Sequence, residues 1–422
     1  MMPTSTRRLV MSITALLRVC ALWGVLLGSG CVFDGGDSRA DRMTNTSLNQ
    51  DLFGLWVTRW DFQSAEDVRT IIDDAGKAGV TDLFWQVRGQ GDAYYSSPFE
   101  PWGEDLTLKR DAENKPIRDR KRTLDPGFDP LRLAISEAHA RGIKLHAWVN
   151  AMPLWKGVDE PIDLRHPWHA HPEWRLRDET GKPQELSEGY VVVNPVLDDV
   201  QDYIVRVVGD IADRYDIDGL HLDYIRFLSD ELDRSKLYPG DARSLSLYAR
   251  MVGDRATIGQ LNRTKYREWI RDRITTLVER IGEEALEDHD DVVYSAAVWR
   301  RPDLAKNQYL QDAQRWVNEG MVDLVMPMVY TDNDAQYTGD LDAWYSVVDR
   351  QRVVPGIGAY KHKGANQTLT QASLGHPRRF VLFAYSTLFE SVNPGQPQTP
   401  EQARDREQKR EALAQFIERV GN

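Results

Sequence analysis

Cysteine is nearly missing from this chain of 422 residues: there are two, Cys20 and Cys31, both within the first 31 positions. If a leader is removed at that point, one thiol is left, which excludes a disulfide framework within the chain. Basic charge is also in short supply. Lys and Arg number 53 against 65 Asp and Glu, a formal net charge of −12. A surface of that sign repels phosphate backbones, so nucleic acid is excluded as a partner. After residue 31 no apolar run is long enough to span a bilayer. No glycine-rich nucleotide turn is found, and no His, Cys and Asp cluster has metal-ligand spacing, so neither a metal nor another cofactor is expected. Apolar residues, by contrast, make up 41% of the chain, with 13 Trp among them. That is enough for a sizeable core and excludes global disorder.

The N-terminus reads as a leader rather than as fold. Arg7 and Arg8 precede an apolar run, interrupted by Arg18, that ends in LLGSGC at Cys31. Charged start, apolar stretch and small residues at the end make a secretory signal peptide. LLGSGC resembles a bacterial lipobox, with Gly28 where Leu is usual, and makes Cys31 the expected lipid acceptor. Residues 1–31 are then a signal peptide, 32–50 a polar tether and 51–422 a single domain. The expected location is the cell envelope, lipid-anchored to a membrane, at the outer membrane or periplasm if the cell is Gram-negative. A soluble secreted form and an uncleaved anchor are the alternatives.

From residue 51 short apolar runs alternate with amphipathic segments. Eight runs read as strands: 53–59, 82–89, 143–150, 217–225, 292–299, 322–330, 353–360 and 380–388. Helical patterns lie between them, at 64–79 (opened by Ser64 and closed by Gly79), 129–142, 198–215 and 266–287, and a final one covers 399–420. Eight such units in series predict a (β/α)8 barrel rather than a doubly wound sheet. The connections after the second, third and fourth strands are long, including 91–128, 152–195 and about 228–262. In a barrel those loops form the catalytic face. Trp102, Trp155, Trp168 and Trp174 lie in them and are expected to build a cleft and stack on sugar faces.

Alternation along each strand predicts which side chains face inward. The inward parity gives Gln86 and Arg88, then His146, Trp148 and Asn150, then His221 and Asp223. It continues with Ser295 and Trp299, Met326, Met328 and Tyr330, and Tyr360. The stretch DIDGLHLDYIR is the most informative, because His221 and Asp223 stand where a packed core would place aliphatics. Asp223, with Arg88, His221 and Arg226 as neighbours, is the expected catalytic carboxylate. Hydrolysis of a glycosidic bond needs a second group, about 5–5.5 Å away for retention or about 6.5–9.5 Å for inversion. Asp332 is the first choice, followed by Asp334, Glu390 and Asp92.

The motifs FGLWVTRWD, LFWQVRGQGDAYYSS, HAWVNA, DIDGLHLDYIRF and VMPMVYTDN, in that order, resemble the glycosyl hydrolase-like 10 family of bacterial envelope proteins. The resemblance covers nearly all of residues 51–390. It implies a TIM-barrel glycosidase, often a lipoprotein, acting on a polysaccharide. One member studied as a cell-division protein acts on peptidoglycan strands stripped of their stem peptides, so that substrate class is implied here, with envelope or cell-division proteins as candidate partners. Arg88, Asp92, Asn150, His221, Asp223, Arg226, Tyr330 and Asp332 fall in the family's motifs. The expected roles are catalysis for Asp223 and Asp332, and substrate binding for Arg88, Asp92, His146, Trp148, Asn150, His221, Arg226, Trp299, Tyr330 and Tyr360. A hydrolase of another exported or capsular polysaccharide, and a non-catalytic glycan-binding barrel, are the alternatives. Chitinase-type barrels are a more distant likeness: Ile225 stands where their general-acid Glu belongs, so their mechanism does not carry over.

Overall fold

The computed structural model describes residues 50–109, 111, 117–119, 121–253, 258–390 and 399–421. The expected leader, Cys31 and the tether up to residue 49 lie outside the described residues. Among the described residues, no helix is long and apolar enough to cross a membrane.

Eight parallel strands close into a barrel: β1 (Leu52–Val57), β2 (Asp82–Arg88), β3 (Lys144–Asn150), β6 (Gly219–Asp223), β7 (Val293–Trp299), β8 (Leu324–Val329), β9 (Gly356–Ile357) and β10 (Arg379–Leu382). Each is hydrogen-bonded to its neighbours in chain order, and β10 returns to β1 with Leu55 opposite Leu382. A helix follows every strand: α1 (Ala65–Lys77), α2 (Pro130–His139), α3 (Asp198–Arg214), α4 (Arg263–Arg280), α5 (Ala313–Asn318), α6 (Asp334–Tyr345), α7 (Ala365–Gly375) and α8 (Pro400–Gly421). This is the expected (β/α)8 barrel. The remaining strands, β4 (Pro153–Gly157) and β5 (Ser187–Val192), pair antiparallel outside it, within a connection expected to be loop.

Local chemistry sets these elements. Ser64 caps α1 by accepting from the Asp67 amide at 3.2 Å, and Asp67 accepts from the Ser64 amide at 2.8 Å, a reciprocal box. Val68, Ile71, Ile72 and Ala75 then form its buried stripe. The seventh barrel strand is two residues long, shorter than expected, and its glycines explain how it fits. A Cβ on Gly356 would sit 3.0 Å from Trp56 Cη2, and one on Gly358 2.8 Å from Tyr330 Cβ. Bare backbone there lets both rings turn into the barrel.

The barrel interior is largely aromatic. Phe84 stacks on His146 at 4.5 Å and lies edge-on to His221 at 4.9 Å. Gly219 leaves space for the imidazole, since a Cβ on it would fall 2.0 Å from His146 Nδ1. Asp218, at the strand's opposite end from Asp223, accepts from the Leu145 amide at 2.7 Å and pairs with His139 at 2.8 Å, a structural role.

The two long connections after β2 and β3 are tied together. Asp163 accepts from both the amide and the hydroxyl of Thr123, at 3.0 and 3.1 Å. Glu104 accepts from the Ile162 amide at 2.7 Å, and His166 bonds the carbonyl of Gln90 at 3.0 Å. The loop tryptophans belong to this packing, which corrects the expectation that they face the cleft. Trp155, Trp168 and Trp174 are buried. Trp174 donates to Asp199 at 2.9 Å, and Arg175 lies 3.8 Å over Trp168.

Candidate active site

A cavity of about 270 Å³ opens at the C-terminal ends of the barrel strands. Its walls are aromatic: Trp56, Trp60, Trp148, Tyr190, Tyr224, Tyr330 and Phe383. Polar groups converge among them, from Gln86, Asn150, Lys156, Asp223 and Arg226. Apolar faces with a few placed polar groups suit a sugar ring, which offers apolar C–H faces and a rim of hydroxyls.

Asp223 ends β6 and is the carboxylate in this lining. Its Oδ1 accepts from the Tyr224 amide at 2.6 Å and from Arg226 Nη1 at 3.0 Å. Both contacts fall on one oxygen, leaving Oδ2 for a ligand. Tyr224, the next residue, has φ of 50°, the left-handed region that a tyrosine adopts only at a cost. That turn brings an amide onto Asp223 and sets the Tyr224 ring 5.0 Å from Tyr190. Arg226 is itself buried, with its guanidinium 4.2 Å over the Tyr224 ring. The acid is therefore held by charge and backbone strain at once.

The other walls come from several elements. Trp148 donates to Asn150 Oδ1 at 2.9 Å, and Asn150 Nδ2 donates to the carbonyl of Gly89 at 3.0 Å, so Asn150 fixes the indole. Tyr330 stacks on Phe383 at 5.3 Å, and burial with Asp223 nearby raises its pKa well above the ordinary phenol value. Tyr330 is thus a neutral hydroxyl donor at all physiological pH.

The structure brings Trp148, Asn150, Asp223, Arg226 and Tyr330 together as expected from parity. Other candidates lie elsewhere. Arg88 turns outward because β2 carries a bulge: Gln86 pairs with Trp148 but Arg88 with Val149. It forms a buried ion pair with Glu100 at 2.8 Å and donates to the carbonyl of Ala151 at 3.1 Å. His146 and His221 face inward but lie in the buried layer under the cleft. His146 bonds Asp82 at 3.0 Å, while His221 accepts from Trp56 Nε1 at 3.1 Å and pairs with Ser295 Oγ at 2.9 Å. Burial holds His221 well below the usual imidazole pKa, so it is neutral. Asp92 is buried outside the lining. Trp299 packs at a tilt against Tyr309 at 4.0 Å beside Arg226, and Tyr360, half-exposed, stands edge-on to Tyr330 at 6.0 Å.

The expected partner carboxylate is not in the cleft. Asp332 is exposed in the loop after β8, where its carbonyl is bound by Gln367. Asp334 accepts from Gln371 at 3.1 Å, and Glu390 is exposed. Sequence reading misses Trp56, which stands on β1, where no inward parity is assigned. It also misses Trp60, Lys156, Tyr190, Tyr224 and Phe383, which come from connections and from the β4–β5 pair, where no periodicity marks an inward side chain.

A sequence model of the family described as "Glycosyl hydrolase-like 10" matches residues 51–360. Among curated proteins, Glycosyl hydrolase YngK of Bacillus subtilis is 24% identical over 356 residues, 76% of this chain and 62% of its own length. Glycosyl hydrolase DigH of Escherichia coli is 26% identical over 321 residues, 69% of this chain and 64% of its own. This chain thus spans less than two thirds of these relatives. Among solved structures, the PgaB (BpsB) glycoside hydrolase domain from Bordetella bronchiseptica superposes with a TM-score of 0.55 at 13% identity, over 87% of this chain and 98% of that one. The catalytic domain of a Paenibacillus polymyxa β-amylase gives 0.55 at 12%, over 88% and 98%. At such identities the two structures support the barrel fold alone.

Proposed function

Because the chain belongs to the glycosyl hydrolase-like 10 family, we propose that it hydrolyses peptidoglycan glycan strands, most of all those stripped of stem peptides. The observation that carries this is Asp223: one carboxylate, held on a single oxygen by Arg226 and the Tyr224 amide, in a cavity walled by aromatic rings. The substrate class follows from the family resemblance.

In this reading Asp223 Oδ2 takes a proton from the water that attacks the anomeric carbon, while the departing glycosidic oxygen takes one from solvent. Arg226 and the Tyr224 amide hold the carboxylate in place for that step. Trp56, Trp148 and Phe383 pack on sugar faces, and the Tyr330 hydroxyl orients the substrate. The glycan-binding residues are therefore Trp148, Arg226 and Tyr330, with Tyr360 at the edge. The proposal includes export and attachment to the membrane through Cys31, which incorporation of labelled palmitate in cells would test.

The deciding experiment incubates the purified protein with peptidoglycan strands before and after amidase treatment and reads products by mass spectrometry. We expect fragments from the stripped strands and none from an Asp223→Asn variant that still folds and binds glycan. Absence of fragments from both substrates, with folded protein, would move the assignment to another polysaccharide or to glycan binding without turnover.

A further inference from the structure

A second cavity, of about 310 Å³, lies in the connection after β6. Its floor is apolar, from Phe227, Leu237 and Tyr266, and Tyr266 is anchored by donating to the Pro239 carbonyl at 2.7 Å. Its walls are cationic, which is unusual on a chain of net charge −12. Arg234 is paired with Asp230 at 3.1 Å. The one carboxylate in the lining, Asp233, is bonded to the amide and hydroxyl of Ser235 at 2.9 and 2.7 Å.

Three further cations in the lining have no carboxylate within ion-pair distance among the described residues. They are Lys236, Arg263 and Arg267. Arg267 is half-buried and donates to the carbonyls of Asn307 and Gln308 at 2.8 and 3.3 Å. Burial and the neighbouring Arg271 lower its pKa, so its charge is stored against a cost.

The cavity adjoins the candidate active site. Phe227 in its lining is four residues from Asp223, at most about 14 Å of extended backbone. Packed side chains link the two: Arg226 lies 5.6 Å over Trp299, which packs against Tyr309 at 4.0 Å, and Gln308 of the cavity bonds the Tyr309 hydroxyl at 3.2 Å.

We infer that this cavity is an accessory subsite that holds a carboxylate-bearing sugar of the same glycan chain while a neighbouring bond is cut at Asp223. On a peptide-free peptidoglycan strand the carboxylate is the free lactyl group. The inference rests on the proposed function for its substrate. It also accounts for a preference for stripped strands, because a stem peptide caps that carboxyl and removes its charge.

The test compares stripped strands with the same strands after methyl esterification of the carboxyls, using the full-length protein and its Arg263→Gln and Lys236→Gln variants. These two side chains make no hydrogen bond or ion pair among the described residues, so folding is spared. The wild type should favour the acidic strand in kcat/KM by about tenfold, the worth of one charge-assisted hydrogen bond. Each variant should shrink that ratio, and so should added salt. Equal use of both strands by the wild type, or a ratio unchanged in both variants, overturns the subsite. Equilibrium binding of both strands to the Asp223→Asn protein separates the two ideas. Arg263-dependent preference in binding without any wild-type turnover would leave the subsite standing and remove the glycosidase reading.

Discussion

Asp223 and Asp92 show how two carboxylates of one chain are put to different uses. Asp223 has its charge balanced by Arg226 and faces the cavity. Asp92 is buried, accepts from the Gln90 amide at 2.9 Å, and has one oxygen without a partner. Burial pushes its pKa up from 3.8 to about 6, against the pull of Arg59. Between those values the folded protein keeps a proton that the unfolded chain has released. Stability attributed to this group therefore falls as pH rises from about 4 to 6 and is level above that. An Asp92→Asn variant should gain on the wild type across that window, by at most about 3 kcal/mol. Urea titrations at pH 4, 5, 6 and 7 would check it, and a constant difference would contradict it. A second prediction concerns Asp332. Because its side chain is exposed outside the cleft, Asp332→Asn should keep most of the activity in the stripped-strand assay. A loss as deep as that of Asp223→Asn would reinstate the two-carboxylate pair.

Elements were legible where periodicity was regular. Every barrel strand and the capped helix α1 announce themselves in their residue patterns, and parity along β3, β6 and β8 placed Trp148, Asn150, Asp223 and Tyr330. Two physical effects hid the rest. The bulge in β2 inserts one residue, so Arg88 moves to the opposite face, and nothing in LFWQVRG marks the insertion. Depth along a strand is also invisible to parity: His146 and His221 point inward, yet one or two layers down they fill the barrel instead of meeting solvent. The seventh strand offers the direct test of element packing. Gly358→Ala would put a methyl 2.8 Å from Tyr330 Cβ. We expect a loss of about 1–3 kcal/mol from overpacking, together with a raised KM as Tyr330 is displaced. Unchanged stability and KM would mean that this wall yields freely.

At the scale of the molecule, closure depends on the end of the chain. Helix α8 buries Leu413, Phe416 and Ile417, with Phe416 6.2 Å from Phe380 of β10 and Ile417 against Gly79, just past α1. At roughly 1.5–3 kcal/mol per buried side chain, this seam is worth as much as the net stability of a typical domain. Truncation before residue 399 should therefore yield protein that aggregates or loses its cooperative thermal transition, as read by near-UV circular dichroism. Persistence of a sharp transition would show that the barrel closes without α8.

The bonds joining the connections after β2 and β3 limit how this barrel can be recombined. Thr123 with Asp163, Glu104 with Ile162, and Gln90 with His166 each have one partner in either insertion. A chimera that imports only one insertion from a relative would bury three half-made bonds. The two segments are thus a single cassette of inheritance, and grafting designs should transplant them as one.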